Sequence, residues 1–169
     1  ITIPRGHYFF GLVGASFNPG SQRTLRLPAT VEYGSFYDGR NLEFRLEPEW
    51  NLSKHFNVQA SWRMNYLDFE RERNLSEWIN IMQLRWNWAL NLHLSGSVIN
   101  QFNSIDRAFI TNVRLRYNFR DGHDLYLVFN QDNNTQRRME TPQLPAYNDQ
   151  NITFKYIYTL TSLQQRDRI

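Results

Sequence analysis

The sequence predicts an all-β chain: an antiparallel transmembrane β-barrel segment, about nine strands of a larger barrel. Three observations carry that expectation. Apolar and polar residues alternate strictly in segments of roughly ten residues separated by turn chemistry, the pattern of a strand that shows one side to each of two media. The polar side is rich in Asn, Gln, Ser and Arg, as a lumen is, rather than in the Lys, Glu and Thr of a water-facing sandwich. Aromatic residues, 15% of the chain, collect at segment ends on the apolar side, where a membrane interface holds them.

The first strand spans His7 to Phe17, and Asn18-Pro19-Gly20 turns it into a second from Thr24 to Tyr37, with Leu25, Leu27, Ala29, Val31 and Tyr33 on one face. After Tyr37-Asp38-Gly39-Arg40, the third sets Leu42, Phe44 and Leu46 against Glu43, Arg45 and Glu47, then continues through Glu49 and Trp50. Past Asn51-Leu52-Ser53-Lys54, the fourth alternates Phe56, Val58, Ala60, Trp62, Met64 and Tyr66 with polar residues. A polar loop, Asp68 to Glu77, leads to the fifth, whose apolar side carries Met82, Leu84, Trp86 and Trp88. The sixth has Leu92, Leu94, Gly96 and Val98, and the seventh Val113, Leu115, Tyr117 and Phe119. Arg120-Asp121-Gly122-His123 turns into the eighth, with Leu125, Leu127 and Phe129. A long polar segment, 130–150, reads as an extracellular loop, too long for a turn. The last strand carries Ile152, Phe154, Tyr156, Tyr158 and Leu160.

Composition excludes other classes. No window approaches the 18 or so consecutive apolar residues of a membrane-spanning helix. Zero cysteines remove disulfide scaffolds, thiolate metal sites and thiol catalysis. A formal charge of +3 from 19 basic and 16 acidic residues, without a clustered basic stripe, predicts no nucleic-acid partner. The chain opens on Ile1 without an initiator Met or signal peptide, so it reads as a C-terminal piece.

The turns divide into two sets. Those around Pro19, Ser53, Leu90 and Gly122 are short, with Trp50, Phe56, Trp86, Trp88, Tyr117, Phe119, Tyr156 and Tyr158 toward them. The other set includes the loops around Arg71 and Pro142, with Tyr33, Tyr66, Trp78, Phe109 and Phe129 toward it. Short periplasmic turns and long outer loops are the asymmetry of outer-membrane barrels, which places the C-terminus in the periplasm. An even strand number then asks for at least one more strand, from missing N-terminal sequence or from another outer-membrane chain.

Tyr33-Gly34-Ser35-Phe36-Tyr37-Asp38-Gly39-Arg40, Arg114-Leu115-Arg116-Tyr117, the run Asp121 to Asn130 and Phe154-Lys155-Tyr156 together resemble the C-terminal part of a domain-of-unknown-function outer-membrane β-barrel family. That resemblance implies a Gram-negative outer-membrane location, a preceding family-9-type carbohydrate-binding module in the periplasm as a partner domain, and no established activity.

Candidate chemistry is sparse. His93-Leu94-Ser95 puts a base and a hydroxyl on one face of a strand, as a nucleophile pair needs, but no third residue orients them. A lumen histidine is the plainer reading. His7, His55, His93 and His123 are scattered without metal-ligand spacing. Neither a catalytic residue nor a cofactor or metal site is therefore expected. The inward charges Glu43, Arg45, Glu47, Glu49, Arg63, Arg85, Arg114, Arg116 and Lys155 are the best functional signal. Arg facing Glu either sets a transverse field that selects solutes or closes the interior by salt bridging. Glu47 or Glu49 beside Arg63 tips the balance toward closure. The expected function is transport or envelope-complex scaffolding, with lipid as the surrounding partner. The alternatives are a barrel enzyme acting on lipid or glycan, and a soluble β-sandwich binding domain.

Overall fold

Alternating side chains commit the backbone to extended structure, and the ladder bonds then find their partners in sequence order. The computed structural model describes residues 6–20, 23–69, 75–139 and 141–159; the loop around Arg71 and the expected strand end at Leu160 lie outside them. The strands are β1 (Leu12–Phe17), β2 (Leu25–Arg26), β3 (Ala29–Phe36), β4 (Gly39–Leu46), β5 (Glu49–Ser53), β6 (Phe56–Asp68), β7 (Ser76–Ala89), β8 (Leu94–Asn103), β9 (Ala108–Arg120), β10 (His123–Asn134) and β11 (Tyr147–Tyr158). They form one antiparallel sheet in the order β1-β3-β4-β6-β7-β8-β9-β10-β11, with β2 and β5 paired beside that path. Among the described residues β1 and β11 each have a neighbour on one side only, and the sheet is open between them.

The two short strands have one cause. Alternation runs unbroken from Leu25 to Phe36 and from Gly39 to Ser53, as expected of single strands, but Pro28 and Pro48 interrupt the ladder. The Glu47 amide donates to Pro28 O at 3.0 Å and the Ala60 amide to Pro48 O at 2.8 Å, while neither proline has an N–H to return. β2 and β5 are the parts of those strands beyond the break, still paired through Leu25 with Trp50 and Arg26 with Glu49.

Two boundaries differ from expectation. Strand structure starts at Leu12 rather than His7, although Gly11 O still accepts from the Ser35 amide at 2.9 Å. The 130–150 loop is shorter than its polarity suggests: β10 runs on to Asn134 and β11 begins at Tyr147. Gln131 with Gln150 and Asp132 with Asp149 extend the ladder, because backbone pairing does not need apolar side chains when both neighbours are in place.

Few side chains are enclosed. Among the described residues only Phe69, 3% exposed, and Ala108, 8% exposed, are buried hydrophobics. Among the described residues no second layer covers either face. Ile152 at 67%, Phe154 at 69% and Trp78 at 55% stand open on the apolar side. Phe69 packs near Phe36, with ring centroids 6.2 Å apart, and Gly39 makes room for it, since a Cβ there would press on the Phe69 ring.

Candidate functional site: two faces of one sheet

Cross-strand partners share a face, so the register sorts every side chain. One face is apolar. Its rows include Tyr33–Leu42–Tyr66–Trp78 at one end and Phe56–Trp88–Gly96–Leu115–Leu127–Phe154 toward the other. From β8 to β11 it stops at a polar row, Asn100–Thr111–Gln131–Gln150, in which Asn100 Nδ2 donates to Thr111 Oγ1 at 3.1 Å. Trp62 Nε1 donates to Asn80 Oδ1 at 3.2 Å on the same face.

The apolar band crosses the strands diagonally. Its middle on β3 is Ala29, between Leu25 and Tyr33. Straight across the ladder, Ala29 leads through Leu46, Trp62, Met82, Phe102 and Phe109 to Asn133 on β10. The middle of the band on β10 is instead Leu127. The offset is the six residues between 127 and 133 over six ladder steps, one residue per strand.

Aromatic residues mark the two edges of this diagonal. Trp50, Phe56, Trp88, Tyr117, Phe119 and Tyr158 lie toward the end that carries the Lys54–His55, Leu90–His93 and Asp121–Gly122 turns, with Trp86 and Tyr156 one row further in. Tyr33, Tyr66, Trp78, Phe109 and Phe129 lie toward the opposite end, Phe129 just inside Gln131. Tyr66 and Trp78 pack at 4.5 Å; Phe119 stacks on Tyr156 at 6.4 Å, and His123 Nδ1 lies 2.6 Å from the Tyr156 hydroxyl.

The other face is polar and carries every expected inward charge. Glu43 receives Arg45 at 2.7 Å and Arg63 at 3.7 Å, Glu49 pairs with Arg26 at 2.9 Å, and Arg116 pairs with Asp124 at 2.8 Å. Arg63 therefore meets Glu43 rather than the expected Glu47 or Glu49, because Arg45 lies opposite Arg63 and Glu43 is diagonal to it. Among the described residues Arg85, Arg114 and Lys155 have no carboxylate in ion-pair range. Amide side chains link neighbouring strands: Asn112 donates to Asn130, which donates to Asn151 at 2.9 Å, and Asn87 to Asn57, which donates to Asn51 at 2.6 Å.

No protein family, curated protein or solved structure matches this chain.

His55 and His93 hold equivalent places. Each follows a turn at the same end of the sheet and brings its ring Nδ1 to 2.7 Å from a carbonyl of the next hairpin, Ala89 O and Asn118 O respectively. Each also accepts a backbone bond from that same residue, at 2.9 and 2.7 Å. The carbonyl can only accept, so Nδ1 donates, and the His93 ring is tied to Asn118 rather than to Ser95. Neither cap was visible in the sequence, since the partner lies in a different hairpin.

Proposed function

We propose that this chain is part of the wall of an outer-membrane β-barrel that passes solutes, with the polar face lining the lumen and the apolar face in lipid. The observation that carries this reading is the diagonal band. An offset of one residue per strand, at about 3.3 Å per residue and about 4.8 Å between strands, corresponds to a tilt of about 35°, within the roughly 35–45° range of outer-membrane barrels. A bilayer cuts tilted strands along such a diagonal, whereas a soluble partner layer has no reason to follow it. The aromatic edges supply the two interfacial girdles. Apolar surface without a packed core costs stability in water, at about 25 cal/mol per Å² left exposed, and costs none in hydrocarbon. The short turns at the end of the sheet that carries Gly122 support a periplasmic location for that end.

Arginine substitution separates the faces. On the apolar side at mid-band, an arginine in lipid costs about 2–4 kcal/mol, so Leu84→Arg and Leu115→Arg impair assembly into the outer membrane. Their neighbours Gln83→Arg and Asn112→Arg, on the polar side, leave it intact. The readout is the amount of heat-modifiable protein in outer-membrane fractions. Equal tolerance at all four positions sinks the proposal.

A further inference from the structure

The unpaired cations are not scattered over the polar face. From Leu127 on β10, opposite Leu115 and Phe154, a step of one residue per strand along the diagonal leads to Arg114 on β9 and to Lys155 on β11. Two further steps from Arg114, across β8, lead to Arg85 on β7, whereas Arg63 on β6 lies three residues off this diagonal and pairs with Glu43. Arg85, Arg114 and Lys155 thus step across the strands on the same diagonal as the band, which puts them at one depth. Carboxylates are displaced from that depth: Asp132 and Asp149 face each other nearer one end of β10 and β11, and Asp124 lies nearer the other end, paired with Arg116. Glu43 is shared by Arg45 and Arg63. Glu47, beside β4 on the diagonal, and Glu32, three residues from Ala29 on β3, are the acids near this level without an ion pair among the described residues. On β8, between Arg85 and Arg114, the polar face carries Ile99, opposite Arg85, and Ser97, opposite Arg114.

We infer that Arg85, Arg114 and Lys155 form a cationic belt at the mid-depth of the lumen, and that the barrel passes dissolved anions in preference to cations. The inference rests on the barrel reading above. A ring of Arg and Lys at a constriction lowers the energy of an anion there and raises that of a cation, and with few screening carboxylates at that level the field acts on the solute rather than on a salt-bridge partner. The arrangement also argues against an interior sealed by ion pairing, since the cations that would close it lack partners.

The test uses the full-length protein carrying these strands, reconstituted in planar bilayers under a potassium chloride gradient. The native protein shows a reversal potential of the sign set by chloride, and Arg85→Gln with Arg114→Gln lowers the chloride-to-potassium permeability ratio several-fold. Arg85→Lys with Arg114→Lys retains it, which separates charge from fold. Heat-modifiable insertion with no conductance, with no anion preference, or with a preference untouched by the glutamine pair overturns the anion inference and leaves the barrel standing. Failure of the native protein to insert overturns both.

Discussion

At the scale of single residues, Gly96 shows how the apolar face is finished. A Cβ on Gly96 would run into the Trp88 indole, whose strand partner it is, so the ring lies over β8 where a side chain would otherwise stand. Gly96→Val is expected to cost about 1–3 kcal/mol by overpacking and much less in a Trp88→Ala background, read as the urea midpoint of the folded protein; equal cost in both backgrounds would mean that the indole does not use the space. Which face Gly96 and Trp88 occupy was legible in the sequence, because parity alone assigns it. That they touch was not, since contact needs the register between two strands. The same limit explains Arg63, whose charge and face were readable while its partner was not: the Glu43 contact is diagonal, and nothing local to either residue selects it over Glu47.

At the scale of elements, the nine long strands were legible wherever one face was apolar, and became illegible where both faces turned polar. Gln131, Asp132, Asn133 and Asn134 carry no alternation of hydropathy, yet they are strand, held by β9 on one side and β11 on the other. Pro28 and Pro48 had the opposite effect, leaving the alternation intact while breaking the ladder. The β10–β11 hairpin yields a direct expectation. Its register is set by pairs from His123 with Tyr158 up to Asp132 with Asp149, all on the strand side of the loop. The loop adds local ties, among them the Thr135 amide to Arg107 O at 2.8 Å and Asn134 Nδ2 to Pro145 O at 3.0 Å. Replacing residues 136–145 by a short Asn-Gly turn should therefore leave assembly unchanged, since a shorter loop costs less closure entropy. Loss of heat-modifiable protein in that variant would mean that the loop holds the hairpin.

At the scale of the whole molecule, direction along the sheet decides how it can close. Neighbours alternate, so β1 and β11, at the two ends of a nine-strand path, point the same way and cannot pair antiparallel with each other. Closure in an antiparallel barrel takes an odd number of further strands between them, and in the proposed membrane setting an unclosed edge would leave unsatisfied N–H and C=O groups in hydrocarbon at several kcal/mol apiece. Residues 1–169 expressed alone in detergent should accordingly aggregate or require an added segment, and a monodisperse, heat-modifiable monomer would contradict the open edges. The tilt carries one more consequence, for bore. A strand about 4.8 Å wide and inclined at about 35° takes up roughly 6 Å of perimeter, so each added hairpin widens a closed barrel by about 4 Å. Ions screen one another beyond about 8 Å at physiological salt. In the proposed barrel the number of strands that complete the ring would therefore set whether Arg85, Arg114 and Lys155 govern the whole cross-section or only the water along their own wall.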